Sequence, residues 1–188
     1  MAKNDIFTRR NIIKESDSIA FGCSHTWGTG VKGYQTWSYL LDAINFGEQG
    51  CSADFIARHL PNMIKVLLPK TVYILWPDWT RFEVIKQGVV CQSLPTDNDR
   101  ILYMRNHDDN WLKENFKKQS SQVRACCSTN NIELIDLTLY NLISWIDHAD
   151  RWPLSDLGHH YSPIWHGWVA DIFREIKESP RSLELAYE

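Results

Sequence analysis

Several things are scarce in this chain. No apolar run approaches the roughly 18–20 residues needed to cross a bilayer, and residues 1–18 lack the apolar centre of a secretory signal. An N-terminal glycine for myristoylation and a C-terminal prenylation box are both missing. There is no basic excess: the net charge is −3, which argues against holding nucleic acid on a large basic surface. No GxGxxG follows the first apolar run, so dinucleotide binding is disfavoured. The cysteines, Cys23, Cys51, Cys91, Cys126 and Cys127, are odd in number and form no CxxC. Neither a zinc knuckle nor a disulfide framework is signalled. They read as small, partly buried thiols in a reducing cytoplasm, with the vicinal pair Cys126–Cys127 as a minor redox alternative.

Against these absences stands an excess of tryptophan, nine in 188 residues. Tryptophan is costly to expose and usually needs a partner for its N–H. Either the core is rich in aromatics or several indoles line a cleft. The length fits one domain, residues 1–188, with 1–17 and 180–188 peripheral. No repeat or low-complexity tract divides it.

Apolar runs predict strands at 18–22, 43–46, 71–76 and 132–137, the third continuous and hence buried on both faces. Helical spacing predicts a helix over 52–68, with Ser52 as N-cap, Asp54 in the first turn and Pro61 placed to kink it. Shorter helices are expected at 36–41, capped by Thr36, and at 141–146, and a polar one at 110–127. The last helix, 163–177, has Ser162 as N-cap and Pro163 at N1, with Ile164, Trp168, Ile172 and Ile176 on one face. Residues 23–33 and 147–161 read as loops, and 77–107 as irregular. Strands alternating with helices predict an α/β domain with a mostly parallel sheet.

In such sheets, sites form at the carboxyl ends of the strands. The residues that follow the strands are Gly22-Cys-Ser24-His-Thr26-Trp-Gly28, Asn45-Phe-Gly47-Glu-Gln-Gly50 and Trp76-Pro-Asp78-Trp-Thr-Arg81. Late in the chain comes Asp156-Leu-Gly-His159-His160. Acyl transfer needs a hydroxyl, an imidazole to take its proton, a carboxylate to orient the imidazole, and N–H groups for the oxyanion. These segments contain all four.

The first segment resembles the opening block of the SGNH (GDSL-type) hydrolases, GDSxTxG, with Cys23 where that family has Asp. Residues 45–52 are similar to the second block, with Gly50 at the glycine whose N–H serves the oxyanion. Asp156 with the histidines resembles the closing DxxH. The blocks lie in family order between residues 18 and 170. The resemblance implies a flavodoxin-like three-layer α/β/α sandwich, Ser24 as nucleophile, and an oxyanion hole from the N–H groups of Ser24 and Gly50. It also implies Asp156 as the acid and a histidine base.

Two positions depart from the family pattern. The third block, GxND, brings an Asn side-chain donor, but here Asp78 falls at the Asn position. An ionised carboxylate only accepts, so the donor is missing or replaced, with Thr80, Arg81, Asn45 or an indole N–H as candidates. A turn or ion pair of Asp78 with Arg81 is the plainer reading. The last block has two registers. DxxH selects His159, whereas the run from His160 to His166 follows the family's continuation and favours His160. His166 itself reads as structural.

The expected function is hydrolysis of a carboxylic ester through an acyl-enzyme, with an O-acetylated glycan as first substrate and no cofactor. His25, Trp27, Trp76, Trp79 and Arg81 are expected to contact substrate. Seven indoles, of Trp27, Trp37, Trp76, Trp79, Trp152, Trp165 and Trp168, fall in or beside the blocks and are expected to wall a cleft, several partly exposed. The alternative is a non-catalytic ligand-binding module on the same fold. A metal site drawn from His148, Asp150, Asp156, His159, His160 and His166 matches no standard zinc spacing. The expected partner is a small-molecule or glycan ester, with neither nucleic acid nor membrane, in the cytoplasm or, for a viral chain, the host cytoplasm or virion.

Overall fold

The computed structural model describes residues 16–86, 89–92, 109–139, 142 and 161–179. Strand β1 (Ser18–Gly22) leads into a single helical turn, α1 (Ser24–Trp27). A 3-10 turn (Gly33–Gln35) precedes α2 (Trp37–Leu40), which Thr36 caps by accepting the Tyr39 N–H at 3.3 Å. Strand β2 (Ile44–Asn45) is followed by α3 (Ala53–Leu67), capped by Ser52 through the Phe55 N–H at 3.4 Å. The helix continues through Pro61, whose missing N–H leaves the Ala57 carbonyl without its helical donor. Then come β3 (Thr71–Trp76), β4 (Glu83–Lys86), β5 (Val89–Gln92), α4 (Asp109–Thr129), β6 (Glu133–Thr138) and α5 (Pro163–Glu178).

The main sheet is wholly parallel, in the order β2-β1-β3-β6. Its strands alternate between two apolar layers, because successive side chains point to opposite faces. Ala20, Tyr73, Leu75, Ile135 and Leu137 pack beneath Trp37 of α2 and Trp165, Val169 and Phe173 of α5. Ile19, Phe21, Val72, Ile74 and Trp76 pack against Ile56, Leu60 and Ile64 of α3 and Val123 and Cys127 of α4. All six residues of β3 are buried, as its unbroken apolar run predicts. The result is a three-layer α/β/α sandwich with flavodoxin-like strand order. Among the described residues, no helix is long and apolar enough to cross a membrane.

Three expectations change. Residues 77–107 read as irregular, yet 83–92 contain the antiparallel hairpin β4–β5. Its apolar residues come in adjacent pairs rather than alternating, and Gln87-Gly88 is a weak turn signal. The buried face of α5 is Trp165, His166, Val169, Ala170, Phe173 and Ile176. It is rotated by about one residue from the expected stripe, leaving Ile164 and Trp168 exposed. The alternative spacing, 165-169-173-176, carries the larger aromatic surface and takes the sheet side. Ser162 precedes α5, but its hydroxyl makes no capping bond. The predicted helix at 141–146 falls outside the described residues except for Leu142, which is buried in the core.

Candidate active site

Three loops meet at the carboxyl edge of the sheet because β1, β2 and β3 are adjacent and parallel. Ser24 stands at the first position of α1, where the chain leaves β1. Residues 23–33, expected as loop, begin with this turn because the Cys23 carbonyl accepts both the Thr26 and Trp27 N–H groups at 2.9 Å. Gly28, at φ 85°, ends it. A residue opening a helix has an N–H with no intrahelical partner. Ser24 thus joins a hydroxyl and a donor at one point, and is itself only 9% exposed.

The loop after β2 is tied to that turn. The Glu48 N–H donates to the Gly22 carbonyl at 2.9 Å. The Asn45 amide donates to the Thr26 carbonyl at 2.7 Å, and its oxygen accepts the Gly47 N–H at 2.8 Å. Gln49 donates to the Thr29 hydroxyl at 2.9 Å. Gly47 lies so close to α1 that a Cβ there would sit 2.4 Å from the Trp27 nitrogen. Gly50, at φ 73°, follows in the left-handed region that glycine favours, and Ser52 then starts α3. Asn45 is a positioning residue whose double role the sequence showed only as a candidate donor. The Asn-x-Gly spacing carries the signal, since Asn often bonds the backbone two residues on.

The loop after β3 has another construction. The Asp78 carboxylate accepts the Thr80 N–H at 2.8 Å and its carbonyl accepts the Arg81 N–H at 3.0 Å. Asp78 therefore forms a side-chain-closed turn, the plainer of the two readings above, with its carboxylate in the role of acceptor. Past Arg81, Phe82 is buried. The Glu83 N–H donates to Asp54 in the first turn of α3 at 3.2 Å, and the Glu83 carboxylate takes Arg58 through two bonds of 2.6 and 3.2 Å. Asp54 also accepts Asn115 and Gln119 from α4. Glu83 thus ties the end of this loop to the first turns of α3, the helix that Gly50–Ser52 lead into.

Trp76 is removed from the predicted substrate contacts. It is 1% exposed, and its indole N–H donates to Asp136 at 2.7 Å, with Arg124 on the same carboxylate oxygen at 2.9 Å. Its even position on β3 points it at α4 rather than along the strand to the site. Trp37 and Trp165 are likewise fully buried, so the expectation that the indoles wall a cleft fails for these three. Trp27 and Trp79 are half-buried and Trp168 is exposed. Trp79 has the Lys113 ammonium 5.2 Å from its ring centre. His25 is half-buried and stacks on Tyr161 at 4.7 Å, and Tyr161 stacks on Trp165 at 4.3 Å. Sequence reasoning passed over Tyr161, although it directly follows the histidine pair.

His166 is structural, as expected. Its Nδ1 accepts the Trp37 backbone N–H at 3.3 Å, and burial lowers its pKa to about 4. Asp156, His159 and His160 lie outside the described residues, as do Trp152, His148 and Asp150. Cys23, Cys51, Cys126 and Cys127 are free thiols. Burial pushes the Cys51 thiol well up and Cys23 beside it adds to this, while the Arg81 guanidinium pulls it back down.

The class of protein these features define is a parallel, flavodoxin-like α/β/α sandwich with a serine at the first strand-to-helix junction. A scan of protein-family models finds no match, and neither does a search of curated proteins. Solved structures similar to the chain include a G-D-S-L family protein from Desulfitobacterium hafniense DCB-2, 14% identical over 84% of this chain and 97% of that one, with a TM-score of 0.44. The lipase/acylhydrolase from Enterococcus faecalis is 17% identical over 86% and 95%, with a TM-score of 0.44. A variant of an acetyl-xylooligosaccharide esterase from Geobacillus stearmophilus is 13% identical over 86% and 92%, with a TM-score of 0.43. The fold class itself stands on the strand order and the two helical layers.

Proposed function

We propose that this protein is a serine esterase. Ser24 attacks the ester carbonyl, His160 takes its proton and returns it to the departing alcohol, and Asp156 holds the imidazole. Water, activated by the same histidine, then releases the acid and restores the Ser24 hydroxyl. His159 is the alternate base. The N–H groups of Ser24 and Gly50 receive the oxyanion. The observation that carries this reading is the stack of His25 on Tyr161 at 4.7 Å. One residue follows the proposed nucleophile and the other follows the proposed base in the chain. An O-acetylated glycan is the preferred substrate, since the half-buried Trp27 and Trp79 offer faces on which a sugar can stack.

Hydrolysis of p-nitrophenyl acetate and labelling of Ser24 by a fluorophosphonate test the proposal. Ser24→Ala should abolish both, with a fall in kcat of at least ~10³-fold. Unchanged hydrolysis in Ser24→Ala defeats the mechanism. His159→Ala and His160→Ala separate the registers, because only the true base loses the acylation burst. Asp78, closed into its turn as an acceptor, favours a second reading, a ligand-binding module without turnover. A folded protein inert on a broad ester panel supports that one.

A further inference from the structure

Resting on the serine-esterase reading, we propose that Arg81 stabilises the oxyanion, with its guanidinium in place of a neutral amide donor. Two of the other candidates are committed elsewhere, and the residue at the motif's Asn position is no donor. Asn45 ties the β2 loop to α1 through both ends of its amide, the Trp76 indole serves Asp136, and Asp78 can only accept. Arg81 is different. Its Nε and Nη1 are buried and have no hydrogen-bond partner among the described residues. Its place is fixed from both sides: the Asp78 turn takes its own N–H, and two residues on, Glu83 is bound to Asp54 at the start of α3. Gly50 and Cys51 lead into that same helix start. The guanidinium also acts electrostatically on Cys51, the residue after the proposed oxyanion glycine.

Two buried guanidinium donors left unfilled among the described residues make an unfavourable ground state. A negative oxygen forming beside Gly50 supplies the missing counter-charge, and charge-assisted bonds are about twice as strong as neutral ones. The interaction grows as the oxyanion forms, which is the condition for lowering a barrier rather than tightening substrate binding.

The test compares Arg81→Gln and Arg81→Lys with the unaltered protein on p-nitrophenyl acetate, a neutral ester, with thermal unfolding measured in parallel. Arg81→Gln should lower kcat by roughly 10²-fold with KM within about threefold, and should leave the unfolding temperature unchanged or raised. Arg81→Lys, which keeps the charge, should recover part of kcat. A kcat for Arg81→Gln within threefold of the unaltered protein overturns the proposal. So does an effect confined to KM and to esters that carry a carboxylate, which would make Arg81 a substrate-anion contact. Should both variants unfold, the unaltered protein decides. Phosphonylating Ser24 should move the Arg81 Nε–H proton resonance downfield, and an unmoved signal refutes the role. Failure of the fluorophosphonate to label Ser24 would instead remove the esterase reading, and this proposal with it.

Discussion

The two sides of the candidate site solve different problems. On the β1–β2 side, backbone and amide groups bind one another: Glu48 to Gly22, Asn45 to Thr26 and Gly47, Gln49 to Thr29. On the β3 side, the turn at Asp78 and the anchor at Glu83 fix the backbone, while Arg81 between them keeps two buried donors without partners among the described residues. The first side holds geometry and the second holds charge. A preorganised oxyanion site needs both, because donors lower a barrier only when they need not move as charge develops. On the proposed esterase reading, the division also accounts for an Asp at the position that resembles the motif's Asn. Its carboxylate shapes the turn, and a neighbour carries the positive charge.

Substitutions can break this contrast, and the largest effect belongs to the tied side. Gly47→Ala puts a Cβ 2.4 Å from the Trp27 nitrogen and 2.7 Å from the Thr26 carbonyl carbon, both backbone atoms that cannot swing aside. Denaturant unfolding should show a loss of about 3 kcal/mol, with the proposed esterase activity falling as the loop separates from Ser24. Retention of full stability would show that the two loops are not rigidly joined.

His166 supports the same side from below, through the N–H of Trp37 at the start of α2. Its pKa in the folded chain is about 4, against an ordinary value near 6.5. Between those values the unfolded chain binds the extra proton and the folded chain does not. The stabilisation is therefore complete above about pH 6.5 and is lost as pH falls toward 4, by up to about 3 kcal/mol. His166→Asn keeps an acceptor for the Trp37 N–H and removes the titration, so it should flatten this part of the stability–pH curve. An identical acid loss in the variant assigns the effect to other groups.

The sequence was most legible where a local rule agreed with the packing. Ser52 and Thr36 cap the predicted helices, and the other bonds of their hydroxyls among the described residues, to Asp54, Gly33 and Ser38, are local too. The apolar run at 71–76 could only be a strand covered on both faces. The errors arise where two local solutions were nearly equal. Two apolar stripes run along α5, and the sheet took the one with Trp165 and Phe173. Trp76 is adjacent in sequence to a site segment, yet strand alternation sends its side chain to Asp136 under α4. Adjacency along the chain predicted which loops converge, since strand ends are shared. It did not predict which way a side chain leaves a strand. For Arg81 the sequence left four candidate donors open, and only the bonds made by Asn45 and Trp76 reduce the set.

The smallest effects separate the two sides most cleanly, because they exchange one atom at equivalent places. Asn45→Asp keeps the oxygen that accepts the Gly47 N–H and replaces the nitrogen that donates to Thr26. A carboxylate oxygen facing a carbonyl should cost about 1–3 kcal/mol in denaturant unfolding. Asp78→Asn is the mirror exchange. The new amide oxygen can still accept the Thr80 N–H, and the Arg81 N–H bonds to a backbone carbonyl that does not change. Both of these bonds survive the exchange, so through them stability should move by less than about 0.5 kcal/mol. A loss comparable to that of Asn45→Asp would mean that the Asp78 charge, and not its turn, holds the β3 loop. The contrast between a side built for geometry and a side built for charge would then have to be redrawn around that carboxylate.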